Sequence, residues 1–323
     1  MLQLSNLYGS ISNDLDECGR IFRDELISDQ GFISDICRHV DQFHGKHLRP
    51  ALLLLSAQAC GGVTREHHVL AAVVEMVHIA TLVHDDVLDE ADIRRRAATV
   101  NRLWGNERAV LTGDYLFSHA YHLCSGLSSQ FAARIIGQTG ITLTEGEMMQ
   151  NVSRGNFDLS EAEYYDIISR KTASLIGVCG MLGAKYAGAD DAAVQRLREF
   201  GESLGIAFQI IDDVLDLNGD EVETGKSLGR DVHKGKMTLP LIHYLRTCRP
   251  SQRQLAITIL RGDDPQRYRQ VARLLADSES VEYANQAAQS YVAAARDVLA
   301  DFLPSEAKSS LAAMAEFVLT RRQ

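Results

Sequence analysis

The chain has 323 residues, 46% of them hydrophobic, and a formal net charge of −10 at pH 7. That is ample apolar material for a large core, and it is too acidic for a phosphate-backbone partner, so no nucleic acid is expected. The N-terminal stretch MLQLSNLYGSISNDL has neither a basic start nor a long apolar run, and no stretch approaches ~18 uninterrupted apolar residues, so neither a signal peptide nor a transmembrane segment is expected. Six scattered cysteines (Cys18, Cys37, Cys60, Cys124, Cys179, Cys248) show no metal-ligand spacing, which reads as reduced buried thiols in a cytoplasmic protein.

Proline is informative by its absence. The five are Pro50, Pro240, Pro250, Pro265 and Pro304, so nothing from Ala51 to Leu239 breaks a helix by that route. No alternating β-branched or aromatic runs bounded by turn pairs are visible. The periodicity predicts helices near 14–28, 31–43, 50–60, 66–90, 97–102, 106–124, 130–152, 161–186, 190–218, 237–247, 251–260, 266–276, 280–302 and 305–321. Pro50 opens a helix in its first turn, Gly61-Gly62 closes it, and Ser160–Glu163 is a capping box. Loops are expected at 125–129, 153–159 and 218–226. Helix 66–90 is apolar nearly all round, as a central bundle helix is. No stretch reads as an interdomain linker, so the chain is expected to be one all-α domain, 1–323, of about 12–14 helices.

The pentad DDVLD occurs twice, at Asp85–Asp89 and Asp212–Asp216. On a helix, residues i and i+4 share a face, so Asp85 projects with Asp89 and Asp212 with Asp216. Like charges at that spacing destabilise an isolated helix. N-capping or a charged helix end explains one such cluster more readily than two. Carboxylates so close in apolar surroundings want a cation, and oxygen-only ligands point to a hard ion such as Mg²⁺ with phosphate and water completing its shell.

The first copy lies in EMVHIATLVHDDVLDEADIRRRAATVN. His78 is on nearly the same face as Asp85, although alone it reads as a core histidine. Arg94, Arg95 and Arg96 follow at once, as guanidinium groups that grip a metal-bound polyphosphate would, or as solubilising charge. Lys46 and Arg49 precede a helix N-terminus, where anions are favoured. Lys171 sits inside the apolar stretch 168-ISRKTASLIG, where a lysine is costly unless paired. Lys226 and Lys236 follow the second copy. Together these supply positive charge for two diphosphates.

These motifs resemble the all-trans isoprenyl diphosphate synthases, most closely the bacterial long-chain, octaprenyl-type enzymes. The resemblance runs along the chain through GKHLRP, HDDVLDEADIRRR, GDYLF, EGEMMQ, RKTASL, FQIIDDVLDL, TGKSLGRD and GKMTLP. Two departures are His44-Gly45-Lys46-His47 where Gly-Gly-Lys-Arg is usual, and Arg96 where a glycine is usual. The resemblance implies an isoprenoid synthase bundle around a central cavity, working as a homodimer. It implies an allylic diphosphate (farnesyl or geranylgeranyl) between the two motifs, with three Mg²⁺ ions held by Asp85, Asp89 and Asp212 and supported by Asp86, Asp213 and Asp216. Arg94, Lys171, Thr172, Gln209, Lys226 and Lys236 would complete that diphosphate's shell. Isopentenyl diphosphate would bind Lys46, Arg49, His78 and Arg95, with Phe208 beside it. The catalytic set implied is Asp85, Asp89, Arg94, Lys171, Asp212 and Lys226.

The growing chain would run along the helix before Asp85, past Thr81, Ala80, Val77 and Val73. The fourth and fifth residues before the motif are small, where short-chain members often carry an aromatic group. Five turns of helix span roughly 25–30 Å, so a product of about C30 to C50 is expected. Gly137, Thr139 and Gly140 are expected on the facing helix. Bulk at Phe117, Tyr121 or Phe131 would instead close the tunnel early and give a farnesyl or geranylgeranyl product. A class I terpene cyclase would share the fold but need no isopentenyl diphosphate pocket, and a non-catalytic partner subunit tends to lose the aspartates. The protein is expected in the cytoplasm, peripheral to a membrane at product release.

Overall fold

The computed structural model describes residues 7–43, 45–218 and 228–321. The helices are α1 (Ser12–Glu25), α2 (Gly31–Val40), α3 (Leu48–Cys60), α4 (Arg65–Leu88), α5 (Val100–Trp104), α6 (Asn106–Ser125), α7 (Phe131–Val152) and α8 (Glu161–Ile168). They continue as α9 (Ser174–Tyr186), α10 (Asp191–Asn218), α11 (Arg230–His233), α12 (Leu239–Thr247), α13 (Pro250–Arg261), α14 (Arg267–Ala276), α15 (Ser280–Val298) and α16 (Glu306–Thr320). The fold is all-α, as expected.

Three local features differ from the sequence reading. The predicted helix 161–186 is interrupted by a π-helical turn, Ser169–Ala173, which adds a residue to the turn without changing composition. A two-stranded antiparallel ladder pairs β1 (Ile93–Arg94) with β2 (Ala97–Ala98). Strands of two residues are too short for alternation to be visible. The short helix α11 was also not anticipated. The Ser160–Glu163 capping box forms as read, with Ser160 Oγ accepting from the Glu163 N–H at 3.2 Å and Glu163 accepting from the Ser160 N–H at 2.8 Å.

The chain forms two compact units. Unit 1 comprises Met1–Gly140, Leu175–Gly201 and Val298–Met314; unit 2 comprises Ile141–Ser174, Glu202–Asp297 and Ala315–Gln323. Each crossing falls inside a helix, so no Gly- or Pro-rich linker marks it in the sequence.

Unit 1 is centred on α4, which packs against α1, α3 and α6. Leu52–Leu55 of α3 and Leu70, Val73, Val74, Met76, Val77 and Ile79 of α4 have no solvent exposure. Each such aliphatic side chain contributes about 1.5–3 kcal/mol over leaving it in water. By length and composition α4 is apolar enough to cross a membrane, but most of it is buried inside unit 1, as a core helix is. Helix α9 approaches α3 closely because residue 183 is glycine: a Cβ there would lie 2.2 Å from the Leu53 carbonyl oxygen. The buried His67 meets the same glycine's carbonyl with Nε2 at 3.1 Å.

Unit 2 packs α12 against α8, α13 and α14. Its core includes Leu204, Ala207, Ile210 and Leu217 of α10, Leu239 of α12, Val271 and Leu275 of α14, and Ala288 and Val292 of α15.

Candidate active site

The first aspartate cluster ends α4. Asp85 and Asp89 are half-buried, whereas Asp86 is 1% exposed. Arg94 reaches back to Asp86 Oδ1 with Nε at 2.8 Å and Nη2 at 2.7 Å. The middle aspartate thus fixes the first arginine that follows it. The hairpin of β1 and β2 turns on Arg95 and Arg96, whose φ angles are +50° and +67°. Two successive left-handed residues are the geometry of a type I′ turn, which favours glycine. The usual glycine at position 96 therefore has a backbone reason, and Arg96 departs from it at a cost in strain.

Arg95 donates to the Phe43 carbonyl, and its guanidinium lies over Gly45, where a Cβ would be 2.5 Å away. Lys46 is exposed, and its carbonyl accepts from Tyr8 Oη at 3.0 Å. Arg49 lies beneath, its buried Nε without a hydrogen-bond partner among the described residues. Burial and the Arg49 charge hold His78 well below its usual pKa, so it is a neutral imidazole. The structure therefore gathers Arg49, His78, Arg94 and Arg95 around one place. It adds a residue the sequence reading quoted without a role: Glu75, 5% exposed, whose charge acts on Arg49, His78 and Arg95 together. An acid in the middle of the apolar stretch 69–77 was the available signal.

Along α4, Val73, Val77 and Ala80 are completely enclosed. Thr81 donates its hydroxyl to the His78 carbonyl at 2.7 Å, so its polar atom is satisfied within its own helix. Phe117 stacks on His84 at a centroid distance of 6.3 Å. Gly137, expected on the facing wall, is instead exposed with open space around its Cβ position, and Tyr121 is also exposed.

In unit 2, Lys171 sits in the π-helical turn and is paired, as a buried lysine requires. Its Nζ donates to Gln150 Oε1 at 2.8 Å and forms an ion pair with Glu147. Gly146 allows this approach, since a Cβ there would lie 2.6 Å from the Lys171 backbone nitrogen. Thr172 Oγ1 donates to Gln209 Oε1 at 2.8 Å.

The second aspartate cluster lies near the end of α10. Asp213 is 5% exposed and accepts from Gln209 Nε2 at 2.8 Å and Tyr164 Oη at 2.7 Å. Burial and the neighbouring Asp231 push its pKa up, while the two donors oppose that shift. Asp216 accepts from the backbone N–H groups of Arg230 and Asp231 at 3.2 and 3.0 Å, and burial beside Asp231 raises its pKa to about 7. Asp212 is half-buried, and Arg321 Nη2 lies 3.4 Å from its Oδ1. The same guanidinium lies 3.7 Å from the Phe208 ring centroid. Arg321 is a second residue the sequence reading passed over, since a basic residue near a chain end carries no pattern. Lys236 lies 3.6 Å from Asp231 and lines a cavity of about 250 Å³ with Gly155, Met237 and Leu241. Lys226 and most of the 218–226 loop fall outside the described residues.

Among the described residues no three His, Cys, Asp or Glu side chains converge as an all-protein metal cage. The Asp85/Asp89 pair fits Mg²⁺, which takes one or two carboxylates and keeps its remaining positions for water and phosphate.

A profile of the polyprenyl synthetase family matches residues 30–277. The chain belongs to this family. It is 38% identical over 304 residues to the nonaprenyl diphosphate synthase of Mycobacterium tuberculosis, covering 92% of this chain and 89% of that protein. It is 34% identical over 287 residues to the short chain isoprenyl diphosphate synthase of Methanothermobacter thermautotrophicus, covering 88% of each. Among solved structures, the polyprenyl synthase of Caulobacter crescentus complexed with calcium and isoprenyl diphosphate superposes with a TM-score of 0.94 at 32% identity, covering 99% of this chain and 98% of that one.

Proposed function

We propose that the protein is a trans-prenyltransferase that condenses isopentenyl diphosphate units onto farnesyl or geranylgeranyl diphosphate, giving a long all-trans polyprenyl diphosphate. The observation that carries this reading is the end of α4. A carboxylate pair and a cluster of arginines sit beside completely enclosed small and aliphatic residues on one helix.

In unit 1, Asp85 and Asp89 hold Mg²⁺, and Arg94 is presented by Asp86. Lys46, Arg49 and Arg95 bind the diphosphate of isopentenyl diphosphate, and His78, neutral, adds a hydrogen bond. In unit 2, Asp212 holds Mg²⁺, and Lys171, Thr172, Gln209 and Lys236 bind the allylic diphosphate, with Lys226 assigned there by the motif alone. Mg²⁺, when bound, neutralises the charge that develops on the departing diphosphate. Arg94 and Lys171 add positive charge, each held by an acidic partner within its own unit, Asp86 and Glu147. The double bond of isopentenyl diphosphate forms the new carbon–carbon bond, and the proton lost goes to the departing diphosphate. The whole chain, 1–323, works as one catalytic domain in the cytoplasm. The exposed apolar residues Leu103, Val110, Leu111 and Tyr121 support a homodimer.

The small and aliphatic residues Val73, Val77, Ala80 and Thr81, with no aromatic group among them, support a product of about C30 to C50, as the length of α4 allows. The test is incubation with farnesyl diphosphate, excess isopentenyl diphosphate and Mg²⁺, followed by measurement of product length. A distribution ending at farnesyl or geranylgeranyl length overturns the long product. Diphosphate release without isopentenyl diphosphate identifies a cyclase instead. Ala80→Phe or Thr81→Phe is expected to shorten the product while turnover persists, and unchanged length in both places the tunnel elsewhere.

A further inference from the structure

The middle aspartate of the second pentad has a defined set of partners. Thr172 Oγ1 donates to Gln209 Oε1, Gln209 Nε2 donates to Asp213 Oδ1, and Tyr164 Oη donates to Asp213 Oδ2, each at 2.7 or 2.8 Å. Tyr164 is 3% exposed and Asp213 5%. An amide is ambiguous by itself, because its oxygen and nitrogen ends have the same shape. Asp213 removes the ambiguity, since its Oδ1 accepts from the amide while Tyr164 engages its Oδ2. With Asp213 on one side, Gln209 must turn its NH₂ group toward the carboxylate and its carbonyl toward Thr172. The second N–H of that NH₂ group then remains as a donor. A reversed amide would offer carbonyl lone pairs, which repel an anion.

We propose that Tyr164 and Asp213 are positioning residues for the allylic diphosphate: they lock Gln209 as a donor, and Asp213 does not ligate metal. The inference rests on the assignment of Gln209 and Thr172 to the allylic diphosphate under Proposed function. Asp213 has both oxygens engaged by protein donors in a buried place. The buried Tyr164 spends its hydroxyl on Asp213 Oδ2.

The experiment uses the full-length protein and two nearly isosteric variants, Tyr164→Phe and Asp213→Asn. Tyr164→Phe strips Asp213 Oδ2 of its donor in a buried site, which lets the carboxyl rotate and releases the amide. Asp213→Asn replaces an acceptor-only group with one that must donate at one end. Both variants are expected to raise KM for the allylic diphosphate at least fivefold. KM for isopentenyl diphosphate and the Mg²⁺ concentration for half-maximal activity should stay within twofold. Unchanged allylic KM in both variants overturns the proposal. A rise in the Mg²⁺ requirement of Asp213→Asn, with Tyr164→Phe silent, also overturns it and makes Asp213 a metal ligand.

A second readout is independent of turnover. Inorganic diphosphate added without metal should raise the unfolding temperature of the wild type more than that of Tyr164→Phe. Equal shifts count against the proposal even if the wild type makes no product. Failure of the wild type to consume isopentenyl diphosphate is the separate result that would sink the synthase reading.

Discussion

The two DDVLD pentads are identical in sequence and differ in what surrounds them. In both, the first aspartate is half-buried and the second is turned into the protein. The buried partners differ in kind. Asp86 is matched by a charge, the Arg94 guanidinium, supplied by a hairpin eight residues on. Asp213 is matched by neutral donors, Tyr164 and Gln209. The third aspartates diverge further: Asp89 caps the end of α4, whereas Asp216 uses its carboxylate to bind the start of α11. The same five residues thus leave the first and third carboxylates half-buried in each copy, while the buried second ones take different partners.

The largest expected effect tests what the copies share. Asp85→Ala and Asp212→Ala should each lower kcat/KM for condensation by at least ~100-fold, because each removes charge stabilisation of the departing diphosphate. Unfolding midpoints should change little, since neither side chain is fully enclosed. Near-normal turnover in either variant would show that the copies are not equivalent at their first position.

The next effect tests how they differ. Arg94→Ala removes the charged partner of the buried Asp86 and should destabilise the protein by about 3 kcal/mol. Tyr164→Phe removes one neutral donor from Asp213 and should cost about 1–2 kcal/mol. Urea denaturation of both variants gives the ranking. A reversed order would mean that the Asp86–Arg94 pair is compensated by solvent, and the contrast between charged and neutral partners would collapse.

Much of this was legible in the sequence, for identifiable reasons. Helix positions followed from apolar periodicity and the absence of proline, because both act locally. The motif residues were legible because clustered like charges in apolar helices have few explanations. What stayed hidden was set by partners distant in the chain. Asp213 and Tyr164 are 49 residues apart, and no local pattern announces their bond. Arg321 reaches Asp212 across 109 residues. Gly137 was misplaced because a small residue on a helix looks the same whether it faces a wall or open space. The π-helical turn at Lys171 was invisible because composition does not distinguish it from a regular turn.

A smaller effect concerns the third aspartate. Asp216→Ala should leave two backbone N–H groups of α11 without their acceptor, at a local cost of about 1–2 kcal/mol. Amide hydrogen exchange at Arg230 and Asp231 should then accelerate roughly tenfold, while exchange in the unit 2 core stays slow. Unchanged exchange would remove the distinction drawn between Asp216 and Asp89.

The smallest effect lies in the hairpin that follows the first pentad. Arg95 and Arg96 both have positive φ, a conformation that costs a non-glycine residue roughly 1–2 kcal/mol. Arg95 is committed to the Phe43 carbonyl and to the surface of Gly45, so its strain is offset by contacts. Arg96 is exposed, and no such contact is seen for it among the described residues. Arg96→Gly removes its strain but frees the unfolded chain, which takes back part of the gain. The net expectation is stabilisation by about 0.5–1 kcal/mol, read by urea denaturation, with KM for isopentenyl diphosphate unchanged. A loss of stability would show that Arg96 makes a contact worth more than its strain. A raised KM would place its guanidinium at the substrate, and the arginines after the first pentad would then number three at the site rather than two.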